Sequence, residues 1–88
     1  MNIEIQLFGK LRELVGISTE EVTLATGTKL SDLMSLLGER HGHTFAQQLK
    51  NTSLRILING REYQVLGGVT TILRDRDTVV LLPLIEGG

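Results

Sequence analysis

The chain contains no cysteine. That absence excludes disulfide bridges, thiolate metal sites, iron–sulfur clusters and a thiol nucleophile, so the core has to hold by packing alone. No apolar stretch approaches the roughly 18 residues of a membrane-spanning helix, and the N-terminal residues show neither a basic run nor a cleavage motif. No charge of one sign dominates: nine Lys and Arg stand against ten Asp and Glu, scattered along the sequence, which argues against nucleic-acid and membrane partners. No internal repeat, linker or low-complexity segment divides the 88 residues. A chain of this length holds one core and buries about 60% of its unfolded surface. These features read as a soluble cytoplasmic protein.

What the sequence does contain is a set of short periodic segments. Ile3, Ile5 and Leu7 alternate with Asn2, Glu4 and Gln6, the signature of a strand with one buried face over residues 2–8. Gly9 to Val15, with Leu11, Leu14 and Val15 at helical spacing, predicts a short helix stopped by Gly16. Thr19 to Ala25, with Val22 and Leu24 on one side, predicts a strand antiparallel to the first. Leu30, Leu33, Met34 and Leu37 form the stripe of an amphipathic helix. Thr28 is its expected N-cap, Asp32 suits its positive end, Arg40 and His41 its negative end, and Gly42 its stop. Gly38 inside it marks either close packing or an early end. Phe45 to Lys50 suggests a helical turn.

Leu54 to Ile58 alternates and meets Asn59-Gly60, the hairpin pair that tolerates positive φ, with Arg61 to Leu66 as the expected edge strand. Gly67-Gly68 reads as a flexible turn, and Arg74 to Asp77 as a charged turn into the near-continuous apolar run Thr78 to Leu82. The predicted class is α+β: a mixed sheet of four to five strands with one main helix across one face. The two most apolar strands, first and last, would lie parallel in the centre, giving a ubiquitin-like β-grasp over residues 1–83 with an extended 84–88 tail.

Catalytic constellations are sparse. His41 and His43 are two apart and lack a third ligand, so no metal site is expected. Glu20-Glu21 and the Asp75/Asp77 pair read as solvated surface charge, with no nucleophile, base and orienting group around them. The chain is therefore expected not to be an enzyme.

The end of the sequence, LLPLIEGG, offers more. Pro83 cannot donate to a ladder, so Leu84, Ile85, Glu86, Gly87 and Gly88 are expected to project as an arm of about 16 Å, long enough to enter another protein's active site. The two glycines lack Cβ atoms and pass a narrow channel, bringing the ionised carboxylate of Gly88 as a nucleophile toward an activated phosphate. The alternative is a frayed end that happens to be Gly-Gly. Whichever pair, Val79/Leu81 or Val80/Leu82, faces the helix, the other points outward, and Phe8 and Leu82 stand near the end from which the arm leaves. They form either a docking patch or residues packed under loops.

Phe8-Gly9-Lys10-Leu11-Arg12-Glu13-Leu14-Val15-Gly16 is similar to the strand-to-helix segment F-A-x-L/V-R-E-L-x-G of the molybdopterin-type MoaD/ThiS sulfur carriers. The likeness continues through the Leu30/Leu33 helix, Ile58-Asn59-Gly60, the Leu73-Arg74-Asp75-x-Asp77-x-Val79 turn and Gly87-Gly88, so it covers essentially the whole chain. The resemblance implies a cycle in which an E1-like (MoeB-like) enzyme adenylates Gly88 with ATP and a sulfur donor converts the product to a thiocarboxylate. The arm would then carry this sulfur into the large (MoaE-like) subunit of molybdopterin synthase, for molybdenum or tungsten cofactor, with no cofactor bound stably to the carrier itself. It further implies that Phe8, Leu82, Pro83 and the residues after them contact those partners. The tail departs from the common F-P-P-V-x-G-G: Leu84 stands where the second proline would be, which loosens the arm, and Glu86 adds a negative charge. Two rival readings follow the same fold, an archaeal-type (SAMP) or Urm1-type modifier joined to target lysines through Gly88, and a noncovalent interaction domain.

Overall fold

A computed structural model describes residues 1–83. Along the chain run β1 (Asn2–Leu7), α1 (Gly9–Val15), β2 (Thr19–Thr23), α2 (Leu30–His41), α3 (His43–Leu49), β3 (Leu54–Ile58), β4 (Arg61–Glu62), α4 (Tyr63–Leu66), a 3-10 turn (Gly68–Thr70) and β5 (Thr78–Pro83). The sheet order is β2-β1-β5-β3-β4. β1 pairs in parallel with β5, Ile5 opposite Val79 and Leu7 opposite Leu81, and every other pairing is antiparallel. This is the expected β-grasp, with the first and last strands side by side at the centre.

Alternation explains which face is dry. Ile3, Ile5 and Leu7 of β1, Val79 and Leu81 of β5, and Ile56 and Ile58 of β3 all point to the helical side and are buried. There they meet Leu30, Leu33 and Leu37 of α2, Leu11 of α1 and Phe45 of α3. Burying each such side chain contributes about 1.5–3 kcal/mol, which lets a small domain without crosslinks hold together. Gly38 belongs to this packing: a Cβ placed on it would come within 3.2 Å of the Ala46 Cβ of α3. Close approach, rather than an early end, is therefore its role, and α2 continues to His41.

Several local expectations are corrected. The N-cap of α2 is Lys29 rather than Thr28: the Asp32 carboxylate accepts the Lys29 N–H at 3.0 Å, while the Thr28 hydroxyl donates to the Ala25 carbonyl at 2.6 Å. The strand expected over Arg61 to Leu66 is only two residues long and then winds into α4. Asn59 and Gly60 do adopt the positive φ values, 52° and 82°, of a tight hairpin turn.

Three acids expected to be solvated make structural contacts. Asp77 is 9% exposed. Its carboxylate accepts the Arg74 N–H and the Asn59 Nδ2–H, each at 2.8 Å, while Asn59 Oδ1 accepts the Thr78 N–H at 2.9 Å. The carbonyl of Asp77 accepts the Glu4 N–H at 3.0 Å, and Asp75 accepts the Asn2 N–H at 2.8 Å. The charged turn thus locks one end of β1, β3 and β5 together. Glu20, opposite Ile5 in β2, turns toward the helices, where Arg40 Nη1 and His41 Nε2 approach its two oxygens at 2.6 and 2.7 Å. The His41 ring in turn packs on Phe45, with centroids 4.9 Å apart. Burial raises the Glu20 pKa, but the hydrogen bonds and charges of Arg40 and His41 outweigh it and hold the carboxyl below its ordinary 4.5.

Asp77→Ala strands two donors, and the expected loss is about 1–3 kcal/mol, read as a lower denaturant midpoint at unchanged slope. For Glu20 the folded pKa is depressed, so its contribution is complete above the ordinary glutamate range and disappears as pH falls through the folded value. Glu20→Gln should therefore be less stable than the parent at neutral pH and lose less stability on acidification below pH 4.5, in denaturant titrations across that range.

Candidate functional site

β1 and β5 run in parallel toward the same end of the molecule, and that end holds the residues singled out for docking. Phe8 continues the extended backbone of β1 (φ −129°, ψ 162°) and donates its N–H to the Leu81 carbonyl at 3.3 Å. Its side chain shares the parity of Glu4 and Gln6, away from the helices, and it is 40% exposed. On β5 the alternatives resolve in favour of Val79 and Leu81 as the buried pair, so Val80 and Leu82 lie half-buried on the open face. Leu57 of β3 stands opposite Val80, and Arg55 opposite Leu82. Phe8 and Leu82 are thus on one face at one end, not packed under loops.

Gly9 explains how the chain turns away here. It has φ +54°, and a Cβ on it would come within 3.2 Å of Pro83 Cγ. The positive φ and this close approach to the last residue of β5 both favour glycine there. Pro83 pairs with Leu54 at the end of the β3–β5 ladder, as a residue lacking an N–H can do at a strand end. Residues 84–88, which include the candidates Leu84, Ile85, Glu86, Gly87 and Gly88, lie outside the described residues.

The open face divides into two halves. On β1 and β2 it is polar, with Gln6 Nε2 donating to Glu4 at 3.1 Å and the Thr23 hydroxyl donating to Asn2 Oδ1 at 3.1 Å. On β5 and β3 it is apolar, with Val80, Leu82 and Leu57 bordered by the Arg55–Glu62 ion pair. An open apolar band of this kind at the end of β5 fits a protein contact rather than a small-molecule cleft. Leu14 and Ile17, from α1 and the turn after it, are also exposed near the Phe8 segment. The sequence reading missed them because Leu14 fits the helical spacing of Leu11; with two turns available, α1 buries Leu11 alone.

No other constellation assembles. His41 is occupied by Glu20, His43 opens α3 at the surface, and no group of three or more His, Cys, Asp or Glu able to hold a metal occurs among the described residues. Among those residues no helix is long and apolar enough to cross a membrane.

Comparison with known proteins follows the same lines. The ThiS family model matches residues 5–88. No curated protein matches the sequence. Among solved structures, the HVO 2177 protein of Haloferax volcanii is 28% identical with a TM-score of 0.85, over 100% of this chain and 87% of its own. Small archaeal modifier protein 1 of Methanosarcina acetivorans is 27% identical with a TM-score of 0.80, over 99% and 96%. A Pyrococcus furiosus protein described as a molybdopterin converting factor, subunit 1, shares the fold at 22% identity and a TM-score of 0.77, over 97% and 99%. With a match that begins inside β1 and runs to residue 88, on a sheet of this topology, the chain belongs to the ThiS family.

Proposed function

We propose that the protein is a sulfur carrier whose reactive group is the carboxylate of Gly88, serving as the small subunit of a molybdopterin synthase. The observation that carries this reading is the reach of the family match over residues 5–88, which takes in both the central strands and the Gly87-Gly88 pair. In the first step a carboxylate oxygen of Gly88 attacks the α-phosphorus of ATP in an E1-like enzyme, forming the acyl-adenylate and releasing pyrophosphate. Sulfide-level sulfur from a donor then displaces AMP to give a thiocarboxylate, and in the large subunit that sulfur bonds to the pterin precursor while water supplies the oxygen that returns the carboxylate. The cofactor served would be molybdenum or tungsten based.

The geometry supports a division of labour. Leu82 and Phe8 offer the apolar contact, Pro83 directs the chain outward, and Leu84, Ile85, Glu86 and Gly87 enter the partner, which supplies the catalytic groups. Having no cysteine, the carrier presents no thiol to compete for the activated acyl group or to trap the sulfur in a disulfide.

A second reading, a protein modifier joined to target lysines through the same end, is favoured by the 27% identity to a small archaeal modifier protein. Intact-mass spectrometry of the cellular pool separates the two. A terminal oxygen replaced by sulfur, with no Gly-Gly remnant on lysines elsewhere, is the expected result; branched lysine adducts would favour the modifier, and a bare carboxylate in every condition would refute both.

Phe8→Asp and Leu82→Asp each put a charge into the apolar contact while leaving the buried face intact. Each should weaken binding to the large subunit at least tenfold by calorimetry, at a denaturant midpoint close to the parent's. Unchanged affinity would remove these residues from the interface.

A further inference from the structure

A second surface lies at the pole opposite Pro83. A groove of about 720 Å³ opens there between the β3–β4 turn, the α4 segment and the stretch leading into β5, lined by Ile58, Arg61, Leu66, Thr70, Ile72 and Arg74. Neither the Arg61 nor the Arg74 guanidinium has an ion pair or hydrogen bond among the described residues. The acids around them are occupied: Asp77, which also lines the groove, accepts hydrogen bonds at both oxygens, Glu62 pairs with Arg55, and Asp75 holds the Asn2 N–H. Two cations without counterions therefore face a partly apolar trough.

The rim is apolar as well. Ile72 is 59% exposed there, with Ile58 and Leu66 beside it in the lining. Exposed aliphatic side chains beside free guanidiniums suit a peptide that pairs apolar residues with carboxylates, more than a bare anion.

We propose that this groove binds residues 84–88 of a second copy of the chain. Leu84 and Ile85 match the aliphatic rim, while Glu86 and the carboxylate of a free Gly88 supply two anions for the two guanidiniums. Gly87 and Gly88, lacking Cβ atoms, let the backbone lie close to the groove wall. The donor is another copy because five residues span at most about 16 Å, a reversal of direction consumes part of that, and the six-residue β5 separates Pro83 from the groove by a similar length. The charged part of the contact is weakened by salt. The contact would keep Gly88 covered at high protein concentration until an activating enzyme competes for it.

The test is titration of the isotope-labelled full chain with the synthetic peptide LLPLIEGG, as free acid and as C-terminal amide, followed by amide chemical shifts. Expected are changes concentrated at Arg61 and between Leu66 and Arg74, weaker binding by the amide, and at least tenfold weaker binding in R61E/R74E, whose spectrum elsewhere reports an intact fold. Sedimentation of the full chain should show association that falls with added salt and in the same double variant. Changes centred on Phe8 and Leu82, none up to the solubility limit of the peptide, or a double variant that titrates like the parent would overturn the proposal. Such a result would leave the chemistry at Gly88 untouched, because the intact-mass measurement does not involve the groove.

Discussion

The parallel pairing of β1 with β5 is the constraint on which the remaining structure depends. It joins the two ends of the sequence at the centre of the sheet, Leu7 opposite Leu81, with buried side chains from both strands on one side. Because the contact is distant in sequence, its closure entropy has to be offset by apolar burial, and α2 supplies the cover. The same pairing has a functional consequence. Two parallel strands end at the same pole, so the exposed Phe8 and the exit at Pro83 lie together.

The opposite pole is organised differently. There the Arg74–Asp77 turn engages Asn2, Glu4 and Asn59 through carboxylate, carbonyl and amide groups, and Asn59 in turn holds Thr78, setting where β5 begins. Hydrogen bonds made by the buried Asp77 carboxylate specify register in a way that apolar packing alone does not. One pole is thus tied by hydrogen bonds while the other carries exposed apolar side chains, and Glu20 joins β2 to the end of α2 through Arg40 and His41.

Much of this was legible in the sequence where a single physical rule governed the segment. The alternation in residues 2–8, the leucine stripe of α2, the Asn59-Gly60 turn and the apolar run of β5 each left one reasonable conformation. The failures came where neighbours decided. Thr28 and Lys29 both precede the helix, and only the reach of Asp32 to the Lys29 N–H distinguishes them. Tyr63 and Val65 alternate as a strand would, yet β3 offers β4 only two partners before the chain must turn away. Glu20 has the same parity as Val22 and so belongs to the inward face, a signal present in the alternation but overridden by the usual expectation for a glutamate. Asp77 carried no such signal, since beyond its own turn its partners come from β1 and the β3–β4 turn. The placement of Phe8, Leu82 and Pro83 at one end of the sheet was legible, whereas the Arg61 and Arg74 side chains, without ion-pair partners among the described residues, became visible only once their neighbours were located.

Taken together, the core is formed within residues 1–83, Phe8, Leu82 and Pro83 lie at one pole of it, and the proposed chemistry is that of Gly88. The most direct test is ATP–pyrophosphate exchange by the E1-like enzyme of the same cell, comparing the full chain with one lacking Gly87-Gly88. Exchange that depends on the full chain is the predicted result. Equal exchange with both chains, or none with either, would contradict a role for the diglycine end as the activated group.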